Sequence, residues 1–389
     1  MARQVKEGVA KSRDLKMKIS FLLFSVAIFL SGCVEEVELD EKVIVAMVGV
    51  DRTEEGILKI TMGLINTRSI EEKEEAAIEV YSTEGDSIFE AVRTSILKLG
   101  RQPQWPYIKV LIFGPAFSEV DIVPVMDFFN RNNEVQPNPY ITFSHVPAEE
   151  IVKLNTELAN VPAVVVEGQF KHQNLVGYTP NIELHQFTEM MLTHEKVGFA
   201  SIIEKVKENE DFIPVVEGTA VIKEGKWIGD LTNIETRGLL WVREEVQGGI
   251  IVIPSIEGEG KIALEILGQG KSSIEPSLVD GKLSVQLNIE QLVSISEVMA
   301  YIDLTEKHIT EIKKETEKQI KKEIEDALEK TREWGTDIFG ISRAVHRKYP
   351  KYWQEHEKNW GEHFSTLPIE VNIDVDIKTM GLLRSLPEN

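Results

Sequence analysis

Cysteine is almost absent: Cys33 is the only one in 389 residues. It cannot form a disulfide framework or a Cys-cluster zinc site. Positive charge is in deficit as well. Against 43 basic residues stand 64 acidic ones, a formal net charge of −21. Phosphate backbones repel such a chain, which argues against nucleic acid as a partner. A spanning segment is missing too. The apolar run Ile19 to Leu30, broken only by Ser25, falls short of the roughly 20 residues a membrane helix needs. No internal repeat, sustained heptad pattern or low-complexity tract occurs.

Catalytic signatures are equally scarce. Nothing matches His-Glu-x-x-His or Gly-x-Ser-x-Gly. Gly270-Lys271-Ser272 imitates the end of a phosphate loop, but Glu265 stands where its first glycine belongs and would meet phosphate with like charge. Gly258-Glu259-Gly260 reads as a turn, because no helix follows it. His346, His356 and His363 are near one another in sequence but lack the i, i+3 or i+4 spacing of helical metal ligands. Asp374 and Asp376 alternate along a strand and read as a solvated face. No catalytic residue, metal site or cofactor is expected, and the chain is not expected to be an enzyme.

The chain's first 33 residues do carry a signal. Arg3, Lys6, Lys11, Arg13, Lys16 and Lys18 precede the short apolar core, and Leu30-Ser31-Gly32-Cys33 follows it. A basic start, a short greasy core and small residues describe a secretory signal. The tetrapeptide resembles the lipobox of a bacterial lipoprotein, in which the cysteine takes a diacylglyceryl thioether before cleavage. Residues 1–32 are therefore expected to be removed and Cys33 to be the lipidation site. Cleavage deletes six basic and two acidic residues, taking the net charge from −21 to −25. Two thioether-linked chains anchor stably where one is marginal. The protein is expected on the outer face of a cell membrane with its bulk in water. Either Met1 or Met17 serves as a start, with the same mature product.

Hydrophobic residues at 42% and charged residues at 28% describe a globular chain, and its length suggests two or three domains. The expected fold class is α+β: a three-domain ectodomain of mixed sheets with packed helices. The boundaries are 33–175 for an anchored N-terminal domain, 176–248 for a small middle domain, and 249–389 for a C-terminal domain with an antiparallel sheet and one long charged helix. In the first block, Val43 to Val50 and the alternating Leu58, Ile60, Met62 and Leu64 read as paired strands around Glu54-Glu55-Gly56. Ser87 and Glu90 form a capping box ahead of a stripe at Ile88, Val92, Ile96 and Leu99, closed by Gly100. Tyr107 to Phe113 reads as a strand, Ser118 as a helix cap, and Ala148 to Leu158 as a short helix.

Gly168 to Asn181 reads as a linker. Helices are expected near 182–192, 199–207 and 232–241, with a hairpin across Lys223-Glu224-Gly225-Lys226. In the third block, Asp280-Gly281 signals a hairpin whose two central residues need positive φ. A helix from Asp303 to about Trp334 carries a thin stripe at Ile309, Ile312, Ile320, Ile324, Ala327 and Leu328. Ile369 to Ile377 alternates as a strand returning to the third sheet. The segment from Val345 to Trp360 is basic and aromatic inside an acidic chain. It reads either as an aromatic lid with lysines snorkelling outward or as a contact surface for a partner or anionic headgroups.

Taken in order, these motifs resemble the C subunit of bacterial spore germinant receptors, the Ger(x)C lipoproteins. The resemblance begins at Cys33 with Glu38-Leu39, Val48-Gly49-Val50-Asp51 and Ile65-Asn66. It continues through Asp127-Phe128-Phe129-Asn130-Arg131-Asn132-Asn133-Glu134-Val135, then Glu217 to Val221, Gly229-Asp230-Leu231, Glu235-Thr236-Arg237-Gly238 and Leu240-Trp241. It ends with Trp334, Asp337-Ile338-Phe339-Gly340, His346 to Lys351, Trp360 and Val371-Asn372-Ile373. Val34 departs from the tryptophan many members carry after the cysteine, and Tyr107-Ile108-Lys109 from the usual Gly-His-x-Lys. The resemblance implies a three-domain ectodomain tethered to the spore inner membrane, assembly with polytopic A and B subunits, a role in the response to nutrients, and no enzymatic activity. It leaves open which nutrient acts and whether this subunit touches it. Two other readings stand beside it. A solute-binding lipoprotein of an importer would need two doubly wound lobes. A cell-envelope hydrolase would need a convergent nucleophile, base or metal.

Overall fold

The computed structural model describes residues 42–65, 78–154, 161–193, 196–302 and 304–380. The signal segment, Cys33 and Asp303 lie outside them. Fourteen strands occur among the described residues: β1 Lys42–Arg52, β2 Leu58–Ile65, β3 Ile78–Gly85, β4 Gln102–Gln104, β5 Val110–Phe113, β6 Tyr140–Phe143, β7 Gly198–Glu208, β8 Asp211–Lys223, β9 Lys226–Leu231, β10 Ile250–Pro254, β11 Lys261–Ile266, β12 Lys271–Val279, β13 Lys282–Met299 and β14 Ile369–Met380. The helices are α1 Ile88–Leu99, α2 Val123–Arg131, α3 Ala148–Val152, α4 Pro162–Lys171, α5 Leu184–Met191, α6 Asn233–Val242, α7 Glu306–Glu333, α8 Ile341–Lys348, α9 Pro350–His356 and α10 Trp360–Thr366. The fold class is α+β.

The first nine strands form one sheet in the order β3-β2-β1-β5-β6-β7-β8-β9, with β4 paired to β1. Its centre is parallel: β1 pairs β5, β5 pairs β6, and β6 pairs β7. Parallel strands are buried on both faces and so read as continuous apolar runs, which is what Val43 to Val50 and Val110–Phe113 are. Ile88 of α1, Phe129 of α2 and Phe187 of α5 cover one face. Ile151 of α3 with Val166 and Phe170 of α4 cover the other. The remaining strands form a second sheet in the order β10-β11-β13-β12, with β14 also paired to β13.

Several expectations are corrected. The segment near 199–207 is strand β7, not helix. Asn209, at φ 55, turns it back so that Glu208 faces Asp211, and a ladder along β8 outweighs local helical spacing. The linker begins later than expected, because Gly168 to Lys171 are the last turn of α4. Strands on either side of residue 175 share one sheet, since β6 and β7 pair directly. Residues 105–107 form a 3-10 turn, leaving β5 only Val110–Phe113. Ser118 closes another 3-10 turn; the first N–H of α2, on Val123, is taken by Asp121 Oδ1 at 2.9 Å. At α1, Ser87 caps as expected, but Glu90 reaches back to the N–H of Asp86, not of Ser87. The long helix opens at Thr305, whose hydroxyl accepts from His308 N–H.

The C-terminal sheet is mixed, not antiparallel. β14 runs parallel to β13 over Val285↔Ile369 to Ile295↔Met380, because four helices intervene and carry the chain back to the starting end. The Asp280-Gly281 hairpin is as expected, with φ 47 and 76. Helix α7 lies along β14. Glu317 accepts the Val375 N–H, and Lys313 reaches Asp374 at 2.7 Å. So Asp374 and Asp376, expected to be merely solvated, share a lysine.

Candidate functional site

The two sheets are joined through α6 and α7, and the joint is ionic. Thr232 and Glu235 close a capping box at the start of α6. One turn on, Arg237 points into the interior, where Glu323 of α7 meets it; their side chains are 3% and 0% exposed. Arg237 Nε donates to Glu323 Oε2 at 2.8 Å, and Nη2 donates to Oε1. Trp241 Nε1 donates to the same carboxylate at 3.0 Å and Gln319 Nε2 at 3.2 Å. Arg237 Nη1 donates to the Ile250 carbonyl at the start of β10, at 2.7 Å, and its guanidinium lies over the Tyr178 ring. Burial alone would lower the Arg237 pKa, but Glu323 overrides it and holds the guanidinium above its usual value.

Gly238 sets the approach of the two helices. A Cβ there would sit 2.0 Å from the Glu323 carbonyl oxygen, so only glycine lets the backbones pass this closely. A second contact reinforces the joint. Lys223 of β8 donates to the carbonyls of Trp334 and Gly335, at 2.7 and 3.2 Å. The Trp334 ring covers Gly229 of β9. With every charged atom of the pair bonded, the cluster has no free acid or base for chemistry. What it can do is hold one sheet against the other.

Beside the joint runs an open cleft of 1810 Å³, larger than the 300–1,000 Å³ usual for small-molecule pockets. Phe170, Lys223, Arg243, Trp334, Arg343 and Trp353 are among its lining residues. Gln173 also lines it, with a buried Oε1 that has no hydrogen-bond partner among the described residues.

The three C-terminal histidines fall into two separate ring clusters. His346 stacks on Trp353, Tyr352 on His356 at 3.9 Å, and His356 meets His363 edge-on at 4.5 Å. Burial, then the neighbouring His356, hold the His363 pKa below the usual value. Among the described residues no three His, Cys, Asp or Glu side chains are placed to hold a metal. Tyr349, Tyr352 and Trp353 pack on the core, and Trp360 is fully buried, so the basic-aromatic segment is a lid. Asp337 pins it by accepting the N–H groups of Phe339, Gly340, Ile341 and Ser342 and the Trp360 indole N–H. No helix among the described residues is long and apolar enough to cross a membrane.

Residues 35–205 match the spore germination protein N-terminal domain, and residues 217–381 match the spore germination B3/GerAC-like C-terminal domain. The chain belongs to the spore germination B3/GerAC-like family. Spore germination protein KC of Bacillus subtilis (strain 168) is 22% identical over 394 residues, covering 94% of this chain and 96% of that protein. Spore germination protein B3 of the same organism is 22% identical, covering 92% and 97%, and A3 is 22% identical, covering 94% and 98%. The crystal structure of the GerBC protein superposes with a TM-score of 0.59 at 16% identity, over 85% of this chain and 97% of that one, which establishes a shared fold. The role of this family member lies in spore germination.

The motifs that carry the family resemblance fall on the molecule's fixing points. Asp51, from Val48-Gly49-Val50-Asp51, is buried and caps α3, accepting the Ala148 and Glu149 N–H groups at 2.8 and 3.0 Å. Glu235-Thr236-Arg237-Gly238 supplies the ionic joint, and Asp337-Ile338-Phe339-Gly340 the pin of the lid. Glu323 was missed in the sequence. The signal lies in its spacing: it continues the buried positions Ile312, Thr316 and Ile320 at steps of three and four.

Proposed function

We propose that this chain is a non-catalytic lipoprotein subunit of a nutrient germinant receptor. In this reading Cys33 holds it to the outer face of the spore inner membrane, where it binds the receptor's polytopic A and B subunits. The observation that carries the reading is the placement of the family match. It starts at residue 35, two residues after the only cysteine, so the tether and the germination domains follow one another without intervening sequence. The saturated ionic joint supports a holding role over a chemical one. The sheet order argues against an importer's binding protein, whose two lobes would each be doubly wound.

The test is genetic and chemical. Deleting the gene together with its paralogues should abolish germination triggered by nutrients, and Cys33→Ala should release the protein from membranes and lose the same response. Mass spectrometry of the native protein should find a diacylglyceryl thioether at Cys33. Normal nutrient germination in the deletion strain would sink the proposal.

A further inference from the structure

Helix α1 buries Ile88, Ala91, Val92 and Ser95 against the sheet and turns its other side to water. That outer side has an unusual make-up for so acidic a chain. Phe89, Arg93 and Leu97 follow at four-residue steps, with Lys98 beside Leu97 and Arg101 just past the Gly100 stop. Phe89 is 56% exposed, Leu97 87%, and Tyr107, just beyond β4, 54%. The Arg93 guanidinium lies over the Phe89 ring at 5.0 Å. Among the described residues no carboxylate pairs with Arg93, Lys98 or Arg101, whereas Lys59, Lys109, Arg131, Lys153 and Lys171 on other elements of the same half are all paired. Glu90, the acid nearest the stripe in sequence, is occupied with the Asp86 N–H.

The position of this face in the fold is as informative as its composition. α1 packs on β3 and β2 and runs back toward the end of the sheet where Ile44, Ile65 and Ile78 lie side by side. It leads directly into β4, which pairs with β1. The carboxyl end of the stripe therefore stands beside the beginning of β1. Val43 stands only ten positions after Cys33, at most about 35 Å of extended chain.

We propose that the outer face of α1, with Tyr107, is the surface by which the tethered protein lies against an anionic bilayer. The proposal rests on the lipid anchor at Cys33 put forward above. Arginine and lysine attract the negative leaflet, tyrosine belongs at the headgroup level, and an exposed leucine can enter the acyl boundary. Five carboxylates between Glu35 and Glu41 are repelled by the same headgroups, so the contact is local, depends on the three free cations and weakens with salt. It would give the ectodomain a single orientation on the membrane, presenting one constant side to its neighbours.

The test uses the full lipidated chain in vesicles of phosphatidylglycerol and phosphatidylcholine. With Cys33 blocked by its thioether, Leu97→Cys supplies the single free thiol for an environment-sensitive dye, and Ser277→Cys on β12 gives a control on the second sheet. The Leu97 probe should shift to the blue and resist a water-soluble quencher, while the Ser277 probe stays accessible. The combined variant Arg93→Glu, Lys98→Glu and Arg101→Glu, folded by circular dichroism, should still float with the vesicles but lose the protection, as should the native chain in high salt. Flotation with an unprotected Leu97 probe would overturn this surface and leave the anchor standing. Loss of flotation would overturn both. Protection seen only on neutral vesicles that carry the receptor's polytopic subunits would replace the lipid by a protein partner.

Discussion

Two charge clusters in this molecule are built from similar parts and do opposite things. At the joint between the sheets, Arg237 and Glu323 meet with 3% and 0% exposure. On the rim of the nine-stranded sheet, His145 lies between Glu204 and Asp230, with its ring nitrogens 2.6 and 2.9 Å from their oxygens and 47% of its side chain in water. The buried pair cannot exchange its partners for water, so every lone pair must be filled by protein, and it is. The rim cluster has water within reach and is tied to pH instead. Ionised carboxylates only accept hydrogen bonds, so both ring nitrogens of His145 must carry protons for both contacts to hold. Burial decides which cluster is a fixed joint and which can respond to pH.

The comparison breaks most easily at Glu323. Glu323→Ala leaves a buried guanidinium without its counter-charge, and a loss of about 3–5 kcal/mol is expected from such a cut. The midpoint of urea unfolding measures it. Arg237→Met combined with Glu323→Leu should cost less than either single change, because no buried charge is left alone. If the two losses simply add, the joint is not a coupled pair and the contrast with the rim disappears.

Gly238→Ala comes next. Its methyl would collide with the Glu323 carbonyl, and the helices would have to separate, a loss of about 1–3 kcal/mol. A drop in melting temperature without loss of helical signal is the expected result.

Much of this fold could be read from the sequence where local chemistry decides. The Asp280-Gly281 hairpin, the Gly100 stop of α1, and the strands at Val43 and Leu58 follow from turn residues and alternation. Reading failed where distant partners decide. Gly198–Glu208 has the spacing of a short helix, yet it is a strand because β6 and β8 lie on either side of it. β14 alternates like an antiparallel strand, but its direction is set by the helical crossover from β13. The site divides in the same way. Arg237 and Gly238 were visible as a motif, but their meaning depends on Glu323, 86 positions away, on a helix that reads as charged and solvated.

At the rim the expected effect is smaller and depends on pH. Burial alone would lower the His145 pKa, but the hydrogen bonds to Glu204 and Asp230 outweigh it and hold the imidazole above its usual value. A group raised in this way stabilises the folded state fully below its unfolded value, near 6.5. The contribution fades as pH rises through the higher folded value. Melting curves from mildly acidic to mildly alkaline buffer should therefore fall more steeply for the native chain than for His145→Gln. Parallel curves would show that the rim cluster is as insensitive to protons as the joint.

The smallest effect is expected at Asp127 and Arg131, which belong to a family motif and yet pair in the open, at 56% and 80% exposure. An i, i+4 pair in full contact with water exchanges its partner for solvent at little cost. Asp127→Ala should leave the melting temperature unchanged within error. If it does so while nutrient-triggered germination slows, the pair acts through recognition at the surface, and motif membership must be read differently at the rim and at the joint. A clear loss of stability would instead mean that an exposed pair can carry structural weight comparable to a buried one, and burial would no longer explain why the two clusters differ.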